Sequence, residues 1–142
     1  MTVAFRLHDA PSLSDHLRNA QGMTGPLMRE ILDKACRRIP SLRQSERTAR
    51  LIQLIDAGAW TDAALALMEL ELPLWHVRRI AYDEGEWHCA LSRERELPDW
   101  LDAAVEGCHG DLAIALMSAF VEVQAQAVEV SRPPAPSLRS AR

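Results

Sequence analysis

Most of the chain carries a helical hydrophobic period, and one segment carries a strand period. From Thr24 onward, Leu27, Met28, Ile31, Leu32, Ala35, Cys36 and Ile39 fall on one half of a helix, and Arg29, Glu30, Asp33, Lys34 and Arg37 fill the other half. Thr24-Gly25-Pro26 starts this helix, with proline where its missing N–H costs nothing, and Pro40 stops it. Ser45 caps a second helix carrying Leu51, Ile52, Leu54 and Ile55, closed by Gly58. Thr61-Asp62 opens a third, AALALMELEL, ended by Pro73; it is apolar all round apart from Glu69 and Glu71, which predicts the central buried helix. Leu97-Pro98-Asp99-Trp100 starts a short helix to about Glu106, broken at Gly107-Cys108-His109-Gly110. Asp111 then caps a long one, LAIALMSAFVEVQAQAVEV. Residues 1–23 read as weakly ordered, although Ser12-Leu13-Ser14-Asp15 offers the start of a short helix through Ala20. The proline-rich tail 131–142 reads as disordered.

Residues 72–93, LPLWHVRRIAYDEGEWHCALSR, admit two readings. As a helix, 74–82 would turn Leu74, Val77 and Ala81 inward and present Trp75, Arg78, Arg79 and Tyr82. With the preceding helix, residues 61–82 then resemble a helix-turn-helix, which implies a DNA-binding regulator, except that Glu71 stands where that pattern wants glycine. As strands, Trp, His, Val, Ile and Tyr suit a pleated surface, and Asp83-Glu84-Gly85 forms a three-residue hairpin loop. This pairs Tyr82 with Glu86, Ala81 with Trp87, Arg79 with Cys89 and Val77 with Leu91. One face then carries Trp75, Val77, Ala81, Trp87, Cys89 and Leu91. Residues 86–92 alternate like a strand under either reading and need a partner for their backbone groups, so the hairpin is preferred. The Gly-x-Trp-x-x-Ala element at Gly58 loosely resembles a tetratricopeptide turn, but no ~34-residue period recurs.

Charge sharpens this choice. The net charge of −4 conceals nine Arg/Lys against five Asp/Glu in residues 1–50, and four against twelve in 51–107. A phosphate backbone is repelled by the second region, where the helix-turn-helix candidate lies, so no nucleic-acid partner is expected. No apolar run approaches the ~20 residues that span a bilayer, and the N-terminus lacks a signal-peptide pattern. The expected location is therefore cytoplasmic, with no membrane partner. Three widely spaced cysteines without C-x-x-C give neither a disulfide framework nor a zinc knuckle. The near-absence of lysine beside many arginines suggests a bacterial, GC-rich origin.

No residue declares a chemistry. His76 and His88 would share a hairpin face about 13 Å apart, too far for one metal without a third element. Adjacent Cys108 and His109 rarely meet as nucleophile and base, and read as a helix-breaking loop. Arg78 and Arg79 beside Glu84 and Glu86 read as a solvated cross-strand ion pair. Glycine-rich phosphate loops and metalloprotease or hydrolase motifs are missing from the sequence. Trp60, Trp75, Trp87 and Trp100 read as core anchors, and Cys36 as a small buried hydrophobe. Catalytic, cofactor-binding and metal residues are thus assigned to none.

The expectation is one α+β domain, mostly α, over residues 1–130, with a two-stranded antiparallel hairpin (about 74–92) packed on helices. The long helix carries a second apolar stripe, Ile114, Met117, Val121, Ala125 and Val128, opposite Leu112, Leu116, Phe120 and Val123. It is covered either by the rest of the chain or by a second copy in a homodimer, which makes it the candidate partner interface. The expected function is a non-catalytic protein-interaction or regulatory module with no cofactor. The alternatives are the helix-turn-helix regulator, and an enzyme or small-molecule binder whose pocket forms only by tertiary contacts.

Overall fold

Ser12 begins the described chain by capping a helix. The computed structural model describes residues 12–39, 45–93 and 104–131. In α1 (Leu13–Asn19) the Asp15 amide donates to Ser12 Oγ at 3.1 Å, and the Ser12 amide donates to Asp15 Oδ2 at 3.3 Å. This reciprocal box orders part of the segment that looked weak in the sequence. Thr24 caps α2 (Gly25–Ala35) at the expected helix start, and Ser45 caps α3 (Glu46–Asp56) as predicted. Gly58, at φ 71°, turns the chain into α4 (Trp60–Glu71).

Three antiparallel strands follow in the order β1 (His76–Asp83), β2 (Glu86–Ser92) and β3 (Val105–His109), and then α5 (Leu112–Ser131). The domain is α+β and mostly α, but the sheet has three strands instead of the expected two. Residues 105 and 106, predicted as a helix end, and 107–109, predicted as a break, are strand β3. The predicted helix start at 97–103 lies outside the described residues. β2 is therefore central and hydrogen-bonded on both edges, which explains how its backbone groups are satisfied.

Residues 76–83 are strand, so no second helix follows α4 and the helix-turn-helix reading fails. The hairpin loop is also shorter than expected. Asp83 pairs with Glu86 across a two-residue turn in which Glu84 (φ 53°) and Gly85 (φ 84°) are both left-handed. Tyr82 consequently pairs with Trp87, Ile80 with Cys89, and Ala81 with His88. A bulge between Val77 and Arg79 restores the expected Val77–Leu91 pair. The change moves Ile80 and Tyr82 onto the face of Trp87, Cys89 and Leu91, and sends Ala81 to the other.

The centre of the core is α5, not α4. Ala113, Ile114, Ala115, Leu116, Met117, Ala119 and Phe120 have no exposed surface. The helix lies on β3 and β2 and also meets α1, α2 and α4. Among the described residues, no helix is long and apolar enough to cross a membrane.

Candidate functional site

Gly107 decides which side chains of β3 face outward. A β-carbon there would lie 2.3 Å from the Ala115 carbonyl oxygen and 2.6 Å from the Ala119 nitrogen, so α5 rests directly on the β3 backbone. Strand alternation then turns Glu106 and Cys108 to the opposite, outer face. Cys108 pairs with His88 and Glu106 with Ala90 on the central strand. His88 and Ala90 pair in turn with Ala81 and Arg79 of β1.

The outer face thus gathers chemistry from three strands. Cys108 Sγ stands 3.1 Å from His88 Nδ1. Arg79 Nη2 reaches across the small Ala90 position to Glu106 Oε2 at 3.5 Å, an exposed and loose ion pair. Ligand atoms of His88, Glu106 and Cys108 all lie within 4.8 Å of one another. Desolvation, followed by the carboxylates of Glu106 and Glu86, raises the Cys108 thiol above its ordinary value. A thiol held protonated is a poor nucleophile, which disfavours covalent catalysis, and a metal ion would bind it only by displacing the proton.

The sequence placed Cys108 beside His109, but the fold separates their roles. His109 Nε2 donates to the Ala20 carbonyl at 2.8 Å, and its Nδ1 accepts from the Asp111 amide at 2.8 Å. Asp111 caps α5 through Ala113 and also accepts from the Met23 amide at 2.7 Å. His109 and Asp111 therefore pin the 20–23 loop to the start of α5. Arg79 pairs with Glu106, not with the Glu84 or Glu86 suggested by proximity along the chain.

A second polar cluster is buried. Glu71, only 4% exposed, accepts backbone N–H groups of Arg37, Arg38 and Ile39 at 2.7–2.8 Å. Gln124 Nε2 donates to Glu71 Oε1 at 3.1 Å and to the Ala35 carbonyl at 2.7 Å. Cys36 sits beside this clasp, and burial, with the Glu71 carboxylate adding to it, pushes its thiol far up. Burial does the same to Cys89 on the inner face, to about 11. Both behave as hydrophobes, as expected for Cys36 from its place in the apolar stripe.

Of the candidate interface on α5, Ile114 and Met117 are fully buried, Val121 is half-buried and Ala125 is exposed. Trp60, Trp75 and Trp87 pack partly buried against the core as expected, and Trp100 is not among the described residues. Comparison with protein-family models, curated proteins and solved structures returns no match.

Proposed function

We propose that this chain is a protein-interaction module that docks its partner along β1. The observation carrying this reading is the overhang of the sheet beyond α5. That helix lies on β3 and β2, whereas on β1 Ile80 is 40% and Tyr82 60% exposed, on the same face as Trp87. Scattered exposed apolar residues are ordinary, but these are neighbours on one strand. Tyr82 stands edge-on to Trp87 with ring centroids 5.0 Å apart, which fixes a large amphipathic ring at the surface. Val77 and the 62% exposed Leu74 extend the strip toward the start of the strand. There it joins a groove of about 560 Å³ lined by Leu65, Met68, Trp75 and Val77, with Arg47 and Glu69 among its polar residues.

A photo-crosslinking residue at position 82, introduced in the native cell, tests the reading. One protein adduct is expected, lost on Ile80→Asp in a chain that still folds. Adducts obtained from other faces but never from position 82 reject β1 as the docking surface. An adduct to a second copy of this chain makes the partner a homodimer. The groove also supports a second reading, a small-molecule binder, because its volume lies in the range of ligand pockets. A small ligand retained in native mass spectra of the purified chain, and lost on Trp75→Ala, would select that reading.

A further inference from the structure

We propose that His88, Glu106 and Cys108 form a mononuclear site for a divalent transition metal of the zinc class on the outer face of the sheet. The donors are cysteine sulfur, imidazole nitrogen and carboxylate oxygen, the set that borderline-soft dications select over magnesium or calcium. With bonds of about 2.3 Å to sulfur and 2.0–2.1 Å to nitrogen, a tetrahedral ion separates these two donors by roughly 3.5 Å. Cys108 Sγ and His88 Nδ1 already stand 3.1 Å apart, so a few tenths of an ångström of side-chain rotation admits the ion. Glu106 completes the set within the 4.8 Å spread, and its carboxylate is half-exposed and free to rotate inward.

The backbone beneath the three donors is fixed. His88 is on the central strand, paired to Ala81 on one side and Cys108 on the other. β3 is held by the Gly107 contact with α5, so Glu106 and Cys108 project from one rigid turn of the pleat. The local field also suits a cation. The carboxylates of Glu106 and Glu86, both near enough to act on a charge at Cys108, would stabilise a bound dication. Arg79 opposes it, at 3.5 Å from Glu106. On binding, the aqua ion sheds all but one of its waters and takes Sγ, Nδ1 and a carboxylate oxygen in their place. The Cys108 proton passes to solvent and the fourth position keeps a water. The site is separate from the β1 docking surface, and neither proposal depends on the other.

Cobalt titration of the reduced, chelator-stripped full chain tests the assignment. A thiolate-to-cobalt charge-transfer band in the near ultraviolet is expected to saturate at one cobalt per chain and to be bleached by zinc. Cys108→Ser abolishes it, His88→Gln and Glu106→Gln each weaken cobalt binding at least about tenfold, and Cys36→Ala leaves it intact. Arg79→Ala tightens binding, most at low salt, an effect that a merely structural role for the cluster does not produce. Circular dichroism checks that each variant folds; should Cys108→Ser fail, the His88 and Glu106 variants carry the test. A folded wild type without the band, a band surviving Cys108→Ser, or one cobalt shared by two chains overturns the proposal.

Discussion

Two carboxylates, Glu71 and Glu106, are the centres of two polar clusters with opposite characters. Glu71 is buried, and both its oxygens are taken by three backbone amides and one side-chain amide. Glu106 is half-exposed, holds one loose arginine contact, and stands beside a thiol and an imidazole. A carboxylate whose partners are all supplied by the chain has no bonding capacity left for a ligand. Glu71 is thus an internal clasp for the backbone of residues 37–39 that follows α2, whereas Glu106 remains available to bind something else.

The largest effect should follow from breaking the first cluster. Glu71→Ala strips three partly buried backbone N–H groups of their acceptor. Each such loss costs about 1–3 kcal/mol, and because the three amides share one acceptor their losses do not simply add, so a total of roughly 3–5 kcal/mol is expected. Urea denaturation checks it, and a loss below about 1 kcal/mol would show that water replaces the carboxylate.

Gly107→Ala comes next. The added methyl meets backbone atoms of α5, which cannot rotate away, so the helix must lift from β3. Overpacking of this kind costs about 1–3 kcal/mol, and occasionally more. It also sharpens the comparison: cobalt affinity should fall although every proposed ligand is intact, whereas Glu71→Ala, measured where the chain remains folded, should leave it unchanged.

The sequence showed Glu71 only as an anomaly, one of two acids near the end of an apolar helix and a misfit to the helix-turn-helix pattern. Its role depends on the backbone of residues 37–39, more than thirty positions away, so nothing local could reveal it. The helices 25–35, 46–56 and 112–131 were legible because their caps and apolar periods agree. β3 was hidden for a physical reason. Its inward positions are Val105, Gly107 and His109, and glycine is chosen there for helix contact, so the strand carries almost no apolar alternation. The usable signal was on β2, where Cys89-Ala90-Leu91 runs apolar on both faces, and the structure indeed buries Cys89 to Ser92 with a partner on each edge. Without β3, His88 had no ligand neighbour, and the outer cluster could not be seen. The register error arose because Glu84 accepts a left-handed conformation usually left to glycine, asparagine or aspartate.

A smaller effect concerns a third carboxylate, intermediate between the other two. Glu30 accepts from Lys34 Nζ at 2.9 Å and stands 2.6 Å from His16 Nδ1. The Lys34 hydrogen bond, with His16 adding to it and burial opposing, holds its carboxyl below the ordinary value of 4.5. Because the folded value is the lower one, its contribution is fully present above the unfolded value and is lost as pH falls through the folded value. Glu30→Gln should therefore cost about 0.3–0.5 kcal/mol near neutral pH, screened by salt, and nothing at strongly acidic pH. Denaturation of both chains at the two pH values, at low and high salt, measures the difference.

Glu106→Gln should have the smallest effect on stability, within about 0.5 kcal/mol of the parent chain. The side chain is exposed, its arginine contact is at the long limit of an ion pair, and no backbone group relies on it. The same substitution should weaken cobalt binding at least about tenfold, because the amide oxygen carries no net charge to offset the dication. Unchanged stability with lost cobalt affinity is what separates a carboxylate kept for a ligand from one that holds the fold. If Glu106→Gln instead destabilises the chain as Glu71→Ala does, both carboxylates are structural and the contrast between the clusters fails. Urea midpoints and cobalt titrations on one preparation of each variant decide between these outcomes.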